Sequence, residues 1–276
     1  MDCRKWIDKY SMDISLKYNS EATKENYISM VRKFLYNFTK YREPKEIPNE
    51  EIKKWLLEAK TINSRKHRLC ALRSFYLISV GMPKKVTTIP YPKSEKKLPI
   101  VLSQAEVQQM FDVCQNAKHR AILAILYSCG LRVSELINLK WEHIDRSRMI
   151  INVIQAKGQK DRQVPLSQPL ITILEKYYRE YKPKVYVLNG QKLQQYSQTS
   201  VLQVVKQLAE KAGINKRVYT HLMRHCSFTH LLESGVDISI IQKVAGHSNP
   251  KTTQIYTHIS HNLISSINTP LNNIRI

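Results

Sequence analysis

The chain has 276 residues, 42% of them hydrophobic, with 44 Lys and Arg against 22 Asp and Glu. That length and composition exclude bulk disorder and favour two domains, and a formal net charge of +22 points to a polyanionic partner such as a nucleic-acid backbone, with an anionic membrane surface as the rival. No run of ~18 apolar residues exists to span a bilayer, and the opening MDCRKWIDKY lacks the apolar core of a signal peptide, so a cytoplasmic protein is expected. Residues 1–102 hold 22 basic and 11 acidic side chains and residues 103–276 hold the same, so both parts are expected to touch the nucleic acid. Five cysteines (Cys3, Cys70, Cys114, Cys129, Cys226), odd in number and without a CxxC pair, read as free thiols.

Apolar residues recur at helical spacing in Trp6–Leu16, Tyr27–Phe38, Ile52–Leu57 and Leu69–Val80, the last ended by Gly81, which predicts a small all-helical domain over residues 1–82. Its final helix carries Arg65, Lys66, Arg68 and Arg73, either a DNA-contacting face or an ordinary solvated one. Residues 83–102 are expected to form a basic, Pro-rich linker; Pro83, Pro90, Pro92 and Pro99 alternate there with lysines. Stretched out, a linker of ~20 residues reaches ~60–70 Å, enough to pass around a duplex.

From residue 103 a second domain begins with a capping box, Ser103 and Glu106, and a helix to about Cys114. A strongly apolar helix, Ala121–Cys129, ends at Gly130. The period then changes to two strands, Met149–Ile154 and Arg162–Leu166, around the turn AKGQKD. Val201–Ala212, Thr220–Glu233 and Ile238–Ala245 return to helix, so the fold class is mainly α with a small antiparallel sheet, and residues 103–276 form a mixed α/β domain. After Ile264 the tail is polar and weakly patterned.

Arg132 follows the helix end at Gly130, and Glu135 lies three residues on, on the same face if the chain turns helical again; alone, this is a surface ion pair. His221 and Arg224 also share a helix face, with Thr220 as an N-cap candidate. A zinc reading of His221 and His225 lacks the Glu of HExxH and sets Arg224 beside the ion, so no metal is assigned; the pair suits an anion, and a core or capping role for His221 remains open. Gly246 reads as the C′ residue of a helix with His247 at its end, Asn249 and Pro250 open the next, and Tyr256 falls in a short final helix. Lys157 sits in the hairpin turn. Two arginines, two histidines, a lysine and a tyrosine match the needs of phosphoryl transfer: charge for the non-bridging oxygens, an acid, a base and a nucleophile.

The segments LYSCGLRVSELINLKWEHID, AKGQKDRQVPL, HLMRHCSFTHLLESGVDISIIQKVAGHS and TTQIYTH resemble the conserved boxes of the tyrosine recombinase (phage integrase) family, in the family's order. The helical N-terminal part also resembles its core-binding domain, and the absence of an added arm-binding domain resembles the short Xer-like members. The resemblance implies that Arg132 and Arg224 clamp the scissile phosphate, Glu135 supports Arg132, Lys157 is the general acid, His221 assists proton transfer, His247 binds the phosphate and Tyr256 attacks. It implies a site-specific DNA recombinase that passes through a 3′-phosphotyrosyl intermediate with no metal, ATP or other cofactor, the two arginines and His221 favouring the phenolate. Double-stranded DNA is the expected partner. Two duplexes need four strand cleavages and each chain has one such tyrosine, so a homotetramer is expected, with the tail docking on a neighbour. Ala156, Cys226 and the pair Val244 and Ala245 depart from the family's usual residues beside the expected site. Two other readings fit the same boxes: a type IB topoisomerase-like relaxation of DNA, and a DNA-binding regulator with an idle catalytic fold.

Overall fold

A computed structural model of the chain describes residues 1–93, 100–154, 161–190, 195–247 and 249–259. The chain divides into two compact units, Met1–Lys96 and Lys97–Ile276. Among the described residues no helix is long and apolar enough to cross a membrane.

The first unit is helical: α1 (Cys3–Lys17), α2 (Glu21–Asn37), α3 (Asn49–Leu57), α4 (Ile62–Phe75) and α5 (Lys84–Thr87). Asp2, Ser20 and Thr61 cap α1, α2 and α4 with their side-chain oxygens. A wider π turn, Tyr76–Val80, extends α4 and ends at Gly81, whose φ of +74° takes the left-handed conformation that suits glycine. Tyr10, Ile14, Phe34, Leu35, Ile52, Leu72 and Phe75 form the core. The expected linker does not begin at residue 83. Val86 and Ile89 are buried in this core, and Arg73 donates to the Ile89 carbonyl at 2.7 Å, so two well-spaced apolar side chains and one cation hold residues 84–89 on the first unit.

The second unit contains α6 (Gln104–Asp112), α7 (Ala117–Cys129), α8 (Val133–Asn138), α9 (Gln168–Tyr181), α10 (Gln198–Lys211), α11 (Thr220–Glu233), α12 (Ile238–Ala245), α13 (Pro250–Thr253) and α14 (Ile255–Ile259). The apolar α7 is buried on almost every side, with α9 and α11 packed on it. The sheet has three antiparallel strands, β1 (Ile144–Asp145), β2 (Ile150–Val153) and β3 (Arg162–Pro165), in that order. Register pairs Val153 with Arg162 and Ile151 with Val164, so those four side chains share the buried or half-buried face. Two elements had not been expected. β1 is only two residues long, too short for a periodic signal. α9, by contrast, carries a legible one, with Ser167 as N-cap, Pro169 in the first turn and Leu170, Ile171, Leu174 and Tyr177 on its buried face. Thr220 does not cap α11: it is the first helical residue, and Tyr219 precedes it without a capping hydrogen bond.

Candidate active site

The site is built around the corner between α7 and α8. Gly130 ends α7 at φ +57°, and a Cβ there would lie 2.6 Å from the Phe228 ring, so both conformation and space demand glycine. One residue later Leu131 is buried and Arg132 is aimed outward, with its side chain 31% exposed. Glu135 reaches back along the first turn of α8 and takes the Arg132 backbone N–H at 2.7 Å and its Nη1 at 2.7 Å. The other side of that carboxylate is occupied by a residue that sequence reasoning missed. Arg162 of β3 donates Nη1 to Oε1 at 2.8 Å and Nη2 to Oε2 at 2.7 Å, a bidentate fork, while its Nε–H reaches the Val244 carbonyl at the end of α12 at 2.6 Å. Gly246 follows at φ +62°, and a Cβ there would meet Arg162 Cδ at 2.8 Å.

Arg224 of α11 is fully buried. Its Nη1 donates to the Gly130 carbonyl at 2.6 Å, and its Nη2 donates to Ala245 O at 2.5 Å and faces His247 Nε2 at 3.2 Å. It thereby ties the end of α7 to the end of α12. His247 Nδ1 lies 2.9 Å from the hydroxyl of Thr253 in α13. Tyr256 of α14 is 1% exposed, stacked near-parallel on His247 with ring centroids 6.3 Å apart and packed against Phe228 at 5.6 Å. His225, one turn beyond His221, stands 4.6 Å from the His221 ring and 5.8 Å from that of Tyr256, and its Nδ1 is buried without a partner.

These contacts set the charges. Burial alone would raise the Glu135 carboxyl, but the Arg162 guanidinium and the Arg132 backbone and side chain hold it down to about 2. Burial lowers Arg224 to about 10, still charged at neutral pH. His247 and His225 are each pushed down to about 4, first by burial, then by Arg224, Arg132 and Arg162 at His247 and by His221 and Arg224 at His225, so both are neutral at pH 7. Tyr256 is raised to about 12 by burial, which outweighs the pull of Arg224 and Arg132 in the opposite direction. The two arginines pull toward the phenolate, as expected, but the phenol stays protonated, because a buried anion loses more in hydration than the cations return. His221 is exposed at the rim, and its imidazole is lowered by desolvation and by Arg224 and Arg132.

Arg132, Glu135, His221, Arg224, His247 and Tyr256 are thus gathered in one region from α8, α11, α14 and the turn after α12. Beside them opens a cleft of about 1540 Å³ lined by Arg132, Arg162, His247, Asn152, Gln163 and Lys243. Lys157 lies outside the described residues, as does the tail from residue 260. Among the described residues no group of three or more His, Cys, Asp or Glu is arranged to hold a metal ion. The basic face of α4 is not simply solvated. Arg68 donates to the Trp55 carbonyl and lies 4.4 Å over its ring; Arg73 holds Ile89; Arg65 has a buried Nε without a partner; Lys66 lies 5.9 Å from the Tyr91 ring. Arg68 and Arg73 are therefore bound into their own fold.

Residues 101–262 match the model of the phage integrase family. The chain belongs to the phage integrase family. This family member is 34% identical over 271 residues to a putative integrase/recombinase, y4qK, of Sinorhizobium fredii, covering 95% of this chain and 87% of that one. It is 35% identical over 263 residues to the tyrosine recombinase XerA of Pyrococcus horikoshii, covering 92% and 89%. Among solved structures, a XerA recombinase shares 26% identity and a TM-score of 0.58 over the whole of both chains. A lambda integrase, solved as a tetramer on a Holliday junction, shares the fold at a TM-score of 0.78 with 17% identity over 92% of this chain and 76% of that one. The family member is a Xer-like tyrosine recombinase.

Proposed function

We propose that Tyr256 is the nucleophile of this tyrosine-type site-specific DNA recombinase and that Arg132, Arg224 and His247 hold the scissile phosphate it attacks. The observation that carries the reading is the convergence of two arginines, one shared carboxylate and a buried tyrosine beside an open cleft. Arg132 and Arg224 offer fixed positive charge to non-bridging oxygens whose charge changes as the phosphorus becomes five-coordinate. Two backbone carbonyls fix two of the Arg224 nitrogens, so its charge is held in place. Glu135 orients Arg132 and is itself held by Arg162.

Attack by the Tyr256 oxygen on phosphorus forms a 3′-phosphotyrosyl bond and releases a 5′-hydroxyl, whose proton comes from Lys157. His221, at the rim, assists proton transfer. A phosphodiester is exchanged for an ester of similar energy, so rejoining consumes neither water nor ATP. Double-stranded DNA is the partner, four protomers act on two sites, and the work is done in the cytoplasm on the nucleoid; the net charge of +22 supports a polyanionic substrate. The folded unit 1–96 serves as the core-binding half, with Arg65 and Lys66 as its candidate contacts on α4.

The test is trapping on a nicked suicide duplex. Wild-type protein forms a covalent adduct that survives denaturation, and Tyr256→Phe binds the same DNA without forming it. An adduct in the Phe variant removes Tyr256 from the role.

A further inference from the structure

Arg162 lines the cleft yet is almost wholly enclosed, and a guanidinium has no acceptor, so every hydrogen bond it makes is donated. Its fork meets both oxygens of Glu135, Nη1 at 2.8 Å from Oε1 and Nη2 at 2.7 Å from Oε2. The arginine is itself fixed at two further points. Its Nε–H donates to the Val244 carbonyl at 2.6 Å, and the left-handed backbone of Gly246 lies so close that a Cβ there would meet Cδ at 2.8 Å. From the opposite side the same carboxylate takes the backbone N–H and Nη1 of Arg132, each at 2.7 Å. Arg132 is the outward member of the set: its side chain is 31% exposed, against 5% for Arg162 and 7% for Glu135. The backbone N–H of Arg132 pins one carboxylate oxygen, and the planar fork of Arg162, which claims both oxygens at once, sets the plane in which the carboxylate lies.

We propose that Arg162 is a positioning residue for the recombination chemistry: by gripping the inner side of Glu135 and bracing against Val244, it fixes the plane of the carboxylate and so keeps Arg132 turned toward the cleft. Lysine would bring the charge without the two parallel donors, so the fork and the charge can be separated by one substitution. The electrostatics of the cluster point the same way. Burial raises the Glu135 carboxyl, and the side-chain hydrogen bonds of Arg162 are the largest influence opposing it, ahead of those from Arg132. The other groups that act on this carboxylate are Arg224 of α11, whose Nη1 stands 4.0 Å from Oε2, and His221 on the same helix. With the fork gone, burial weighs more and Glu135 takes up a proton at higher pH. A protonated Glu135 holds the Arg132 guanidinium without the help of its charge, and the grip weakens. Loss of Arg162 therefore gives the reaction an acid-side dependence, which a simple loss of packing would not.

This inference rests on the phosphate-site reading above. Its test is the rate of adduct formation at saturating nicked duplex, measured relative to wild type from about pH 8 down to about pH 5.5, with the Kd for the same duplex taken alongside. Arg162→Lys is expected to bind within about twofold of wild type and to form adduct about tenfold more slowly at the upper pH, the scale of loss for a misplaced preorganised group, with the deficit growing as pH falls. On a Glu135→Gln background, where position 135 cannot titrate, Arg162→Lys is expected to cost no more than about twofold at any pH, because the residue it acts through is already lost. A wild-type rate in Arg162→Lys overturns the proposal, as does the same slowing at every pH in both backgrounds. Weakened binding with an unchanged saturated rate overturns it too, and makes Arg162 a direct DNA contact. Should Arg162→Lys not fold, Arg162→Gln with Glu135→Gln, which leaves no lone charge at either position, is compared with Glu135→Gln alone: rates within about twofold support the proposal, and a further loss of about tenfold overturns it. Failure of the recombinase reading shows separately, as no wild-type adduct at any pH.

Discussion

The first unit buries Phe34, Phe38, Trp55, Phe75 and Tyr76 against one another and keeps its ion pairs, Lys53 with Glu50 and Lys40 with Glu51, outside. The second buries Glu135, Arg162 and Arg224 among its apolar residues. Removing charge from water costs several kcal/mol per ion, and pairing returns that only with near-complete hydrogen bonding. The second unit meets the condition at Glu135, whose two oxygens take four hydrogen bonds from Arg132 and Arg162. The first unit is organised for packing. The second holds buried cations on a carboxylate and on backbone carbonyls, and its stability is tied to that arrangement.

Breaking the buried cluster should have the largest effect. Glu135→Ala leaves Arg162 enclosed without its carboxylate and is expected to destabilise the second unit by about 3–5 kcal/mol, with the first unit unchanged. Hydrogen exchange read on peptides from α2 to α4 and from α7 to α11 separates the two responses. The complement is Phe34→Ala, expected to cost about 3–4 kcal/mol in the first unit through cavity formation alone. If either substitution loosens both units equally, the contrast between them is wrong.

Acid should sharpen the contrast next. Glu135 titrates at about 2 in the folded unit against an ordinary 4.5, so its contribution is complete above pH ~4.5 and is lost as pH falls toward 2. His247 titrates at about 4 against 6.5, so protonation favours the unfolded chain and the loss begins as pH drops below about 6.5. Between pH 7 and pH 3 these two groups together are therefore expected to cost the second unit on the order of 5 kcal/mol, and the first unit loses much less. Equal acid sensitivity by the same exchange measurement would show that the buried groups do not govern it. The smallest effect belongs to the surface: replacing Glu50 and Lys53 together by Ala should shift the first unit's stability by less than about 0.5 kcal/mol, checked by denaturant titration.

Much of the site was legible because its residues obey local rules. α11 and α12 match the spans expected from apolar spacing, and Gly130 and Gly246 take the left-handed conformation that a helix-ending glycine signals. Arg132 and Glu135 three apart, and His221 and Arg224 three apart, needed only helical periodicity. Arg162 was out of reach, although it stands inside one of the quoted boxes. Its partners are Glu135, 27 residues away, and Val244, 82 residues away, and no local pattern separates it from a solvated strand arginine. The same holds for Arg68 and Arg73, whose spacing reads as a free basic face until Trp55 and Ile89 fold beneath them.

The order of the elements, the helix ends, the surplus of positive charge and the residue types able to handle a phosphate were determined by the sequence itself, because propensity, capping and periodicity act over a few residues. Tertiary structure alone decided which cations are sealed in and which face the cleft, that the Tyr256 phenol is buried and therefore protonated at rest, and that His247 is turned between Arg224 and Thr253. Those outcomes depend on burial and on distances between segments far apart in the chain, and it is burial that sets how strongly one charge feels another.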